Sequence, residues 1–227
     1  MGVTGYGGGP DYPGSPSSRR ERSGRPQWVT GGVLVASFVA LLYVVAGIDS
    51  VTGHRLDENG IRPLETDGLD GILFAPLLHA NWGHLVANTV PALVLGFLAA
   101  AAGVGRFLLA TAIIWLLGGV GTWLIGNIGL PYETNHIGAS GLIFGWLTYV
   151  IVRGFFNRSV GQILIGAVVL VLYGGVLWGV LPGQFGVSWQ GHLSGAVAGV
   201  LAAYWLSGRE RKVQAARGPG VPPRLTP

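Results

Sequence analysis

Six long apolar stretches, at roughly 28–48, 82–103, 106–126, 138–152, 162–181 and 187–207, dominate the chain, and none has Asp, Glu, Lys or Arg in its middle. Crossing about 30 Å of hydrocarbon takes about 20 helical residues. The pattern therefore predicts an all-α, polytopic membrane protein with six transmembrane helices. The fourth stretch is short, which predicts that it starts below the membrane surface and that the loop before it dips into protein, where its backbone can be satisfied. Residues 49–81 form the longest connection, and their apolar punctuation at Ile61, Leu64, Leu69, Ile72, Leu73 and Phe74 predicts interfacial elements. The Gly-, Pro-, Ser- and Arg-rich ends, 1–27 and 208–227, read as disordered tails flanking a helical domain at 28–207.

Small residues recur every fourth position in two stretches, Gly141 and Gly145 in the fourth and Gly191, Gly195 and Gly199 in the sixth. Such ladders let helix backbones approach closely. They are common in polytopic proteins, so the pattern leaves open whether these two face each other.

Composition supports the bilayer as solvent. Half of the 227 residues are apolar and only 11% are charged. Charge also orients the chain. Arg19, Arg20, Arg22, Arg25, Arg106, Arg153, Arg158, Arg209, Arg211 and Lys212 all fall on one side under a six-span count, whereas Asp49, Asp57, Glu58, Glu65, Asp67, Asp70 and Glu133 collect on the other. The positive-inside rule then predicts a multi-pass protein of the cell membrane with both termini cytoplasmic. The net charge of +4 calls for no nucleic acid, because basic flanks beside anionic headgroups of the lipid bilayer account for it. The chain has no cysteine, which excludes disulfides, thiol nucleophiles and thiolate metal sites.

Few polar side chains interrupt the spans, and each is costly at membrane depth. His84 and Asn88 lie four apart in the second span and share a face. Taken alone they read as hydrogen-bonding glue between helices. With the termini inside, however, they lie in the outer half of the second span, level with Ser140 at the outer end of the fourth and His192 at the outer end of the sixth. Structural bonds alone do not require that coincidence.

Chemistry supplies a reason for it. A serine hydroxyl becomes a nucleophile when a neutral imidazole takes its proton, and attack on an amide carbonyl creates an oxyanion that needs preorganised donors. His192 can serve Ser140 if the glycine ladders meet, and Asn88, His84 and the Ser140 amide are the candidate donors. No carboxylate is available in the spans, so the arrangement is a dyad. His79, His84, His136 and His192 lack the spacing and carboxylate partners of a metal centre, so neither a metal nor an organic cofactor is expected. Gly138-Ala139-Ser140-Gly141-Leu142 is not a nucleophile elbow, since Leu142 replaces the last glycine. His136, four residues before Ser140, reads as a loop residue with a structural bond.

With these residues in view the chain resembles the rhomboid intramembrane serine proteases over about 28–207. The resemblance rests on His84-x-x-x-Asn88, Gly138-x-Ser140-Gly141, and His192-x-x-Gly195 with Gly199. It implies a six-transmembrane-helix rhomboid fold, Ser140 as nucleophile, His192 as general base and acid, and His84, Asn88 and the Ser140 amide as oxyanion hole. Its substrates would be transmembrane proteins. His79 matches a recurrent family histidine, and Gly138, Gly141, Phe144, Gly195 and Gly199 would support the site. Two departures stand out: Phe144 replaces a tyrosine common in the family, and the first external loop lacks the usual Trp-Arg pair, leaving its anchoring open. A non-catalytic scaffold that binds client helices in the same cavity is the rival reading.

Overall fold

The computed structural model describes residues 1–2, 25–101, 103–184 and 186–216, with side chains described as far as Ser207. The expected tails, with Arg19, Arg20 and Arg22, lie mostly outside the described residues, as do the side chains of Arg209, Arg211 and Lys212. Among the described residues the protein is all-helical. α1 (Gln27–Val51) leads into a loop of short helical turns that includes α2 (Gly71–Phe74). There follow α3 (Trp82–Ala100), α4 (Val104–Ile125), α5 (Ser140–Asn157), α6 (Val160–Tyr173) with a 3₁₀ continuation over Gly174–Val180, and α7 (Trp189–Ala216).

The C-terminal ends of α5 and α7 run well past the expectation. α5 continues past 152 to Asn157, where Arg158 adopts a left-handed conformation, φ 55°, and closes the helix. α7 continues past 207 to Ala216, because the helix-favouring run Arg209-Glu210-Arg211-Lys212 meets no breaker before Gly218-Pro219.

Four helical segments are long and apolar enough to cross a membrane: Gln27–Val51, Trp82–Ala100, Val104–Ile125 and Val160–Val180. α5 and α7 fall short of that measure of length and composition, for a reason their surroundings supply. These two sit inside the bundle. α5 buries Leu142, Ile143, Phe144, Trp146, Leu147, Tyr149 and Val150 and even Arg153, so much of its surface faces protein rather than lipid and need not be uniformly apolar.

The two glycine ladders do face each other. A Cβ on Gly195 would collide with the Gly141 carbonyl, and one on Gly199 with the Gly145 carbonyl. Thr148 Oγ1 donates to the Ala196 carbonyl at 2.8 Å across the same seam. α5 and α7 therefore meet backbone to backbone. Around them Leu42, Leu85, Leu95, Phe107, Ile114 and Trp146 form the core, and Trp146 donates to Thr111 Oγ1 at 3.0 Å.

The long loop between α1 and α3 is held by tryptophans of α4. Trp115 Nε1 donates to the Ile72 carbonyl at 2.9 Å and Trp123 Nε1 to the Glu65 carbonyl at 2.8 Å. Arg62 pairs with Glu65 at 3.0 Å and with Asp67 at 2.7 Å, and Ile61 forms an antiparallel bridge with His136. Where α1 ends, buried Asp49 accepts from the Leu56 amide at 2.8 Å and bonds His54 at 3.0 Å. Asp57 joins this cluster, with ligand-type atoms of all three residues within 4.8 Å of one another.

Candidate active site

Helix ends bring the polar residues together. Asn81 caps α3, its Oδ1 accepting from the His84 amide at 2.9 Å, which sets His84 in the first turn and Asn88 one turn deeper. α5 begins at Ser140 without a side-chain cap. The Ser140 amide is thus among the first-turn donors that have no partner within the helix, at its positive end.

Gly138 makes the entry to α5 possible. Its φ of 121° suits glycine alone among the common residues, and its amide donates to the Ala75 carbonyl at 2.8 Å. A Cβ there would lie 2.9 Å from Nε2 of His84 and 3.8 Å from Oγ of Ser140. The imidazole of His84 and the Ser140 hydroxyl therefore border the same small space. Asn88 is buried, and its Nδ2 has no hydrogen-bond partner. An unpartnered amide donor is what a developing oxyanion needs.

His192 is held from two sides. Its ring stacks on Phe144 with centroids 4.1 Å apart and planes 10° from parallel. Its Nδ1 lies 2.9 Å from the Gly179 carbonyl. A carbonyl only accepts, so Nδ1 carries the proton and Nε2 keeps its lone pair. Ser140 and His192 adjoin the end of the seam where a Cβ on Gly141 would lie 3.3 Å from the Gly191 carbonyl. No hydrogen bond joins Ser140 Oγ to Nε2 of His192 among those of the described residues, and such contacts often tighten only in the substrate complex.

His79 is buried, packs edge-on against His84 with centroids 5.1 Å apart, and leaves both ring nitrogens unpartnered. His136 stands apart from the serine. Its Nδ1 lies 2.6 Å from Ser188 Oγ and its Nε2 lies 2.6 Å from Thr134 Oγ1. Burial lowers its pKa from the usual imidazole value, against an opposing hydrogen bond from the ring to the Gly126 backbone.

Sequence reasoning missed two contributors. Gly179 acts through its carbonyl, which no side-chain pattern encodes. Ser188 caps α7, accepting from the Gly191 amide at 3.1 Å, and its place three residues before Gly191 is the signal that could have revealed it.

A family model described as the Rhomboid domain matches residues 68–209, a range that holds every site residue above. The chain is 64% identical over 201 residues to an uncharacterized protein of Mycobacterium tuberculosis, covering 87% of this chain and 84% of that one. It is 32% identical over 168 residues to a Bacillus subtilis protein named "Putative rhomboid protease YdcA", covering 71% of this chain and 76% of that one. A mimivirus protein named "Putative rhomboid protein L523" is 28% identical over 130 residues, covering 56% of this chain and 69% of that one.

Proposed function

The chain belongs to the rhomboid family, and from that premise we propose that it is an intramembrane serine endopeptidase that hydrolyses peptide bonds in or near transmembrane segments of membrane proteins. The observation that carries the reading is the state of His192: Nδ1–H is committed to the Gly179 carbonyl and the ring is braced on Phe144. Nε2 is thereby left basic beside the end of α5 that bears Ser140.

In this mechanism Ser140 Oγ attacks the scissile carbonyl carbon while its proton passes to Nε2 of His192. Charge builds on the carbonyl oxygen, where Asn88 Nδ2, a ring N–H of His84 and the Ser140 amide donate. The tetrahedral intermediate collapses as His192 gives its proton to the leaving amine, and an ester remains on Ser140. Water then attacks the ester with His192 as base, and the carboxylic acid leaves with Ser140 restored.

The proposal extends to placement in the cell membrane with both termini cytoplasmic and the site toward the outer face. It also keeps the division into a helical protease domain at 28–207 and two terminal tails. Full-length protein in vesicles, mixed with a tagged transmembrane substrate, tests the chemistry. Cleavage is expected from the native chain and not from Ser140→Ala or His192→Ala. Cleavage that survives either substitution, or that no preparation shows, defeats the reading. A fluorophosphonate is expected to label Ser140 and no other serine.

A further inference from the structure

His136 and Ser188 form a directional hydrogen-bond chain whose sense is fixed from its loop end. The Thr134 amide and hydroxyl both donate to Asn127 Oδ1, at 3.1 and 2.8 Å. With its proton used there, Thr134 Oγ1 accepts from His136 Nε2–H at 2.6 Å. Nδ1 of His136 is then an acceptor and takes the Ser188 hydroxyl proton at 2.6 Å. That leaves Ser188 Oγ to accept from the Gly191 amide at 3.1 Å, while the Ser188 carbonyl accepts from the His192 amide at 3.0 Å. The chain therefore runs from the loop ahead of α5 into the amide of the residue preceding His192.

Two further attachments tie it into the loops beside the site. The His136 backbone exchanges both hydrogen bonds with Ile61 of the long loop between α1 and α3, each 2.9 Å. Gln190 Nε2 donates to the Ile128 carbonyl at 2.9 Å, a second tie between α7 and the loop ahead of α5. His136, Ser188, Gly191, Gly138 and Ser140 line one small cavity. His136 is thus in place to set the first turn of α7 relative to the entry of α5.

We infer that His136 is a positioning residue of the catalytic dyad, acting through the Ser188 cap to fix the α7 turn that carries His192 against the start of α5. The inference rests on the serine-protease reading. A cap held by a buried, doubly bonded imidazole fixes the turn more rigidly than a cap facing water, and a small displacement of an aligned base is costly in rate.

The test uses full-length protein in phosphatidylethanolamine–phosphatidylglycerol vesicles, with His136→Phe, Ser188→Ala, their combination, and Ser188→Thr, which keeps the capping hydroxyl. His136→Phe and Ser188→Ala are each expected to lower kcat about tenfold with KM unchanged, since a misaligned base affects the chemical step. Fluorophosphonate labelling of Ser140 should slow in parallel. The double variant should lose no more than the worse single one, because both break the same link. Ser188→Thr should restore most of the rate. Amide exchange at Gly191 and His192 should rise in both single variants, a readout independent of turnover.

Unchanged kcat and exchange in His136→Phe and Ser188→Ala, losses that multiply in the double variant, or an effect on KM alone would each overturn the inference. Where His136→Phe fails to fold, Ser188→Ala decides, since it removes one hydroxyl. A native chain that labels and cleaves while the variants match it sinks the inference and leaves the protease reading intact. A native chain that does neither sinks the reading, and the inferred role goes with it.

Discussion

α6 and the α5–α7 pair behave as opposites: α6 with its continuation is apolar enough to cross a membrane by composition, whereas α5 and α7 carry more polar residues and lie within the bundle. α5 and α7 touch through glycine, with carbonyls of one helix occupying the space where side chains of the other would begin. α6 buries only Gly166 and Val169 within its helical span, and its Leu164, Val168, Val171 and Leu172 are exposed, Val171 at 84%. In lipid no hydrophobic drive gathers helices, so packing has to hold them. The α5–α7 seam has that packing along its length, whereas α6 is an outer wall that meets α5 closely at Gly154 and Gly166 and leaves most of its remaining surface exposed. The 3₁₀ turn that continues α6 also reaches the seam at Gly179, whose carbonyl accepts from His192 Nδ1 at 2.9 Å. On the proposed protease reading, rigidity for chemistry and access for a transmembrane substrate are divided between different helices.

The largest effect that would break this contrast is a methyl group. Gly195→Ala drives a Cβ into the Gly141 backbone, where no flexible side chain can yield. We expect a loss of about 3 kcal/mol, the upper part of the overpacking range, together with loss of cleavage as His192 shifts from Ser140. The matched change in the wall is Gly161→Ala in α6, where an added Cβ meets nothing within 4 Å. That substitution should be neutral or stabilising by up to about 1 kcal/mol. Unfolding in mixed micelles compares the two, and equal destabilisation would erase the distinction between seam and wall.

A smaller effect separates the two supports of His192. Phe144→Ala removes a parallel stack at 4.1 Å. Such pairs are worth about 0.5–1.5 kcal/mol, so kcat should fall about three- to tenfold. Phe144→Tyr keeps the ring face and should stay within about twofold of the native rate. Gly179→Ala tests the other support: its Cβ would sit 3.0 Å from Phe144 Cζ and 3.1 Å from His192 Nδ1. Those are side-chain atoms that can yield slightly, so the loss of kcat should be smaller than for Phe144→Ala. A larger loss would mean that the wall, and not the seam, governs the base.

Much of this was legible in the sequence because membrane depth makes polar residues conspicuous. His84, Asn88, Ser140 and His192 stand out against apolar neighbours, and the glycine ladders lie at a spacing that requires one helical face. The outer limits of α1, α3 and α4 also follow from apolar length. What could not be read depends on tertiary surroundings. α5 keeps Arg153 in helix, buried among its neighbours, where a count of apolar residues registers an early stop. The anchoring of the first loop comes from indole N–H groups of Trp115 and Trp123, residues that read equally well as lipid-facing bulk. Gly179 contributes a backbone carbonyl, and any residue has one.

The smallest expected effect concerns pH and again distinguishes seam from wall. Burial lowers the His136 pKa, and its side-chain partners, Thr134 and Ser188, are uncharged. The folded state therefore takes up a proton at His136 less readily than the unfolded chain. The His136 contribution to stability is complete above the ordinary imidazole value of about 6.5 and is lost as pH falls from there through the lowered folded value. Protonation turns Nδ1 from acceptor to donor and leaves the Ser188 hydroxyl proton without its acceptor. Amide exchange at Gly191 and His192, corrected for its intrinsic pH dependence, should accelerate as pH is lowered through that window, while amides of the middle of α6 stay unchanged. His136→Phe should abolish the pH dependence at α7, having no group to titrate. Equal acceleration in α6, or acceleration at Gly191 that persists in His136→Phe, would place the titrating group elsewhere and detach the α7 cap from His136.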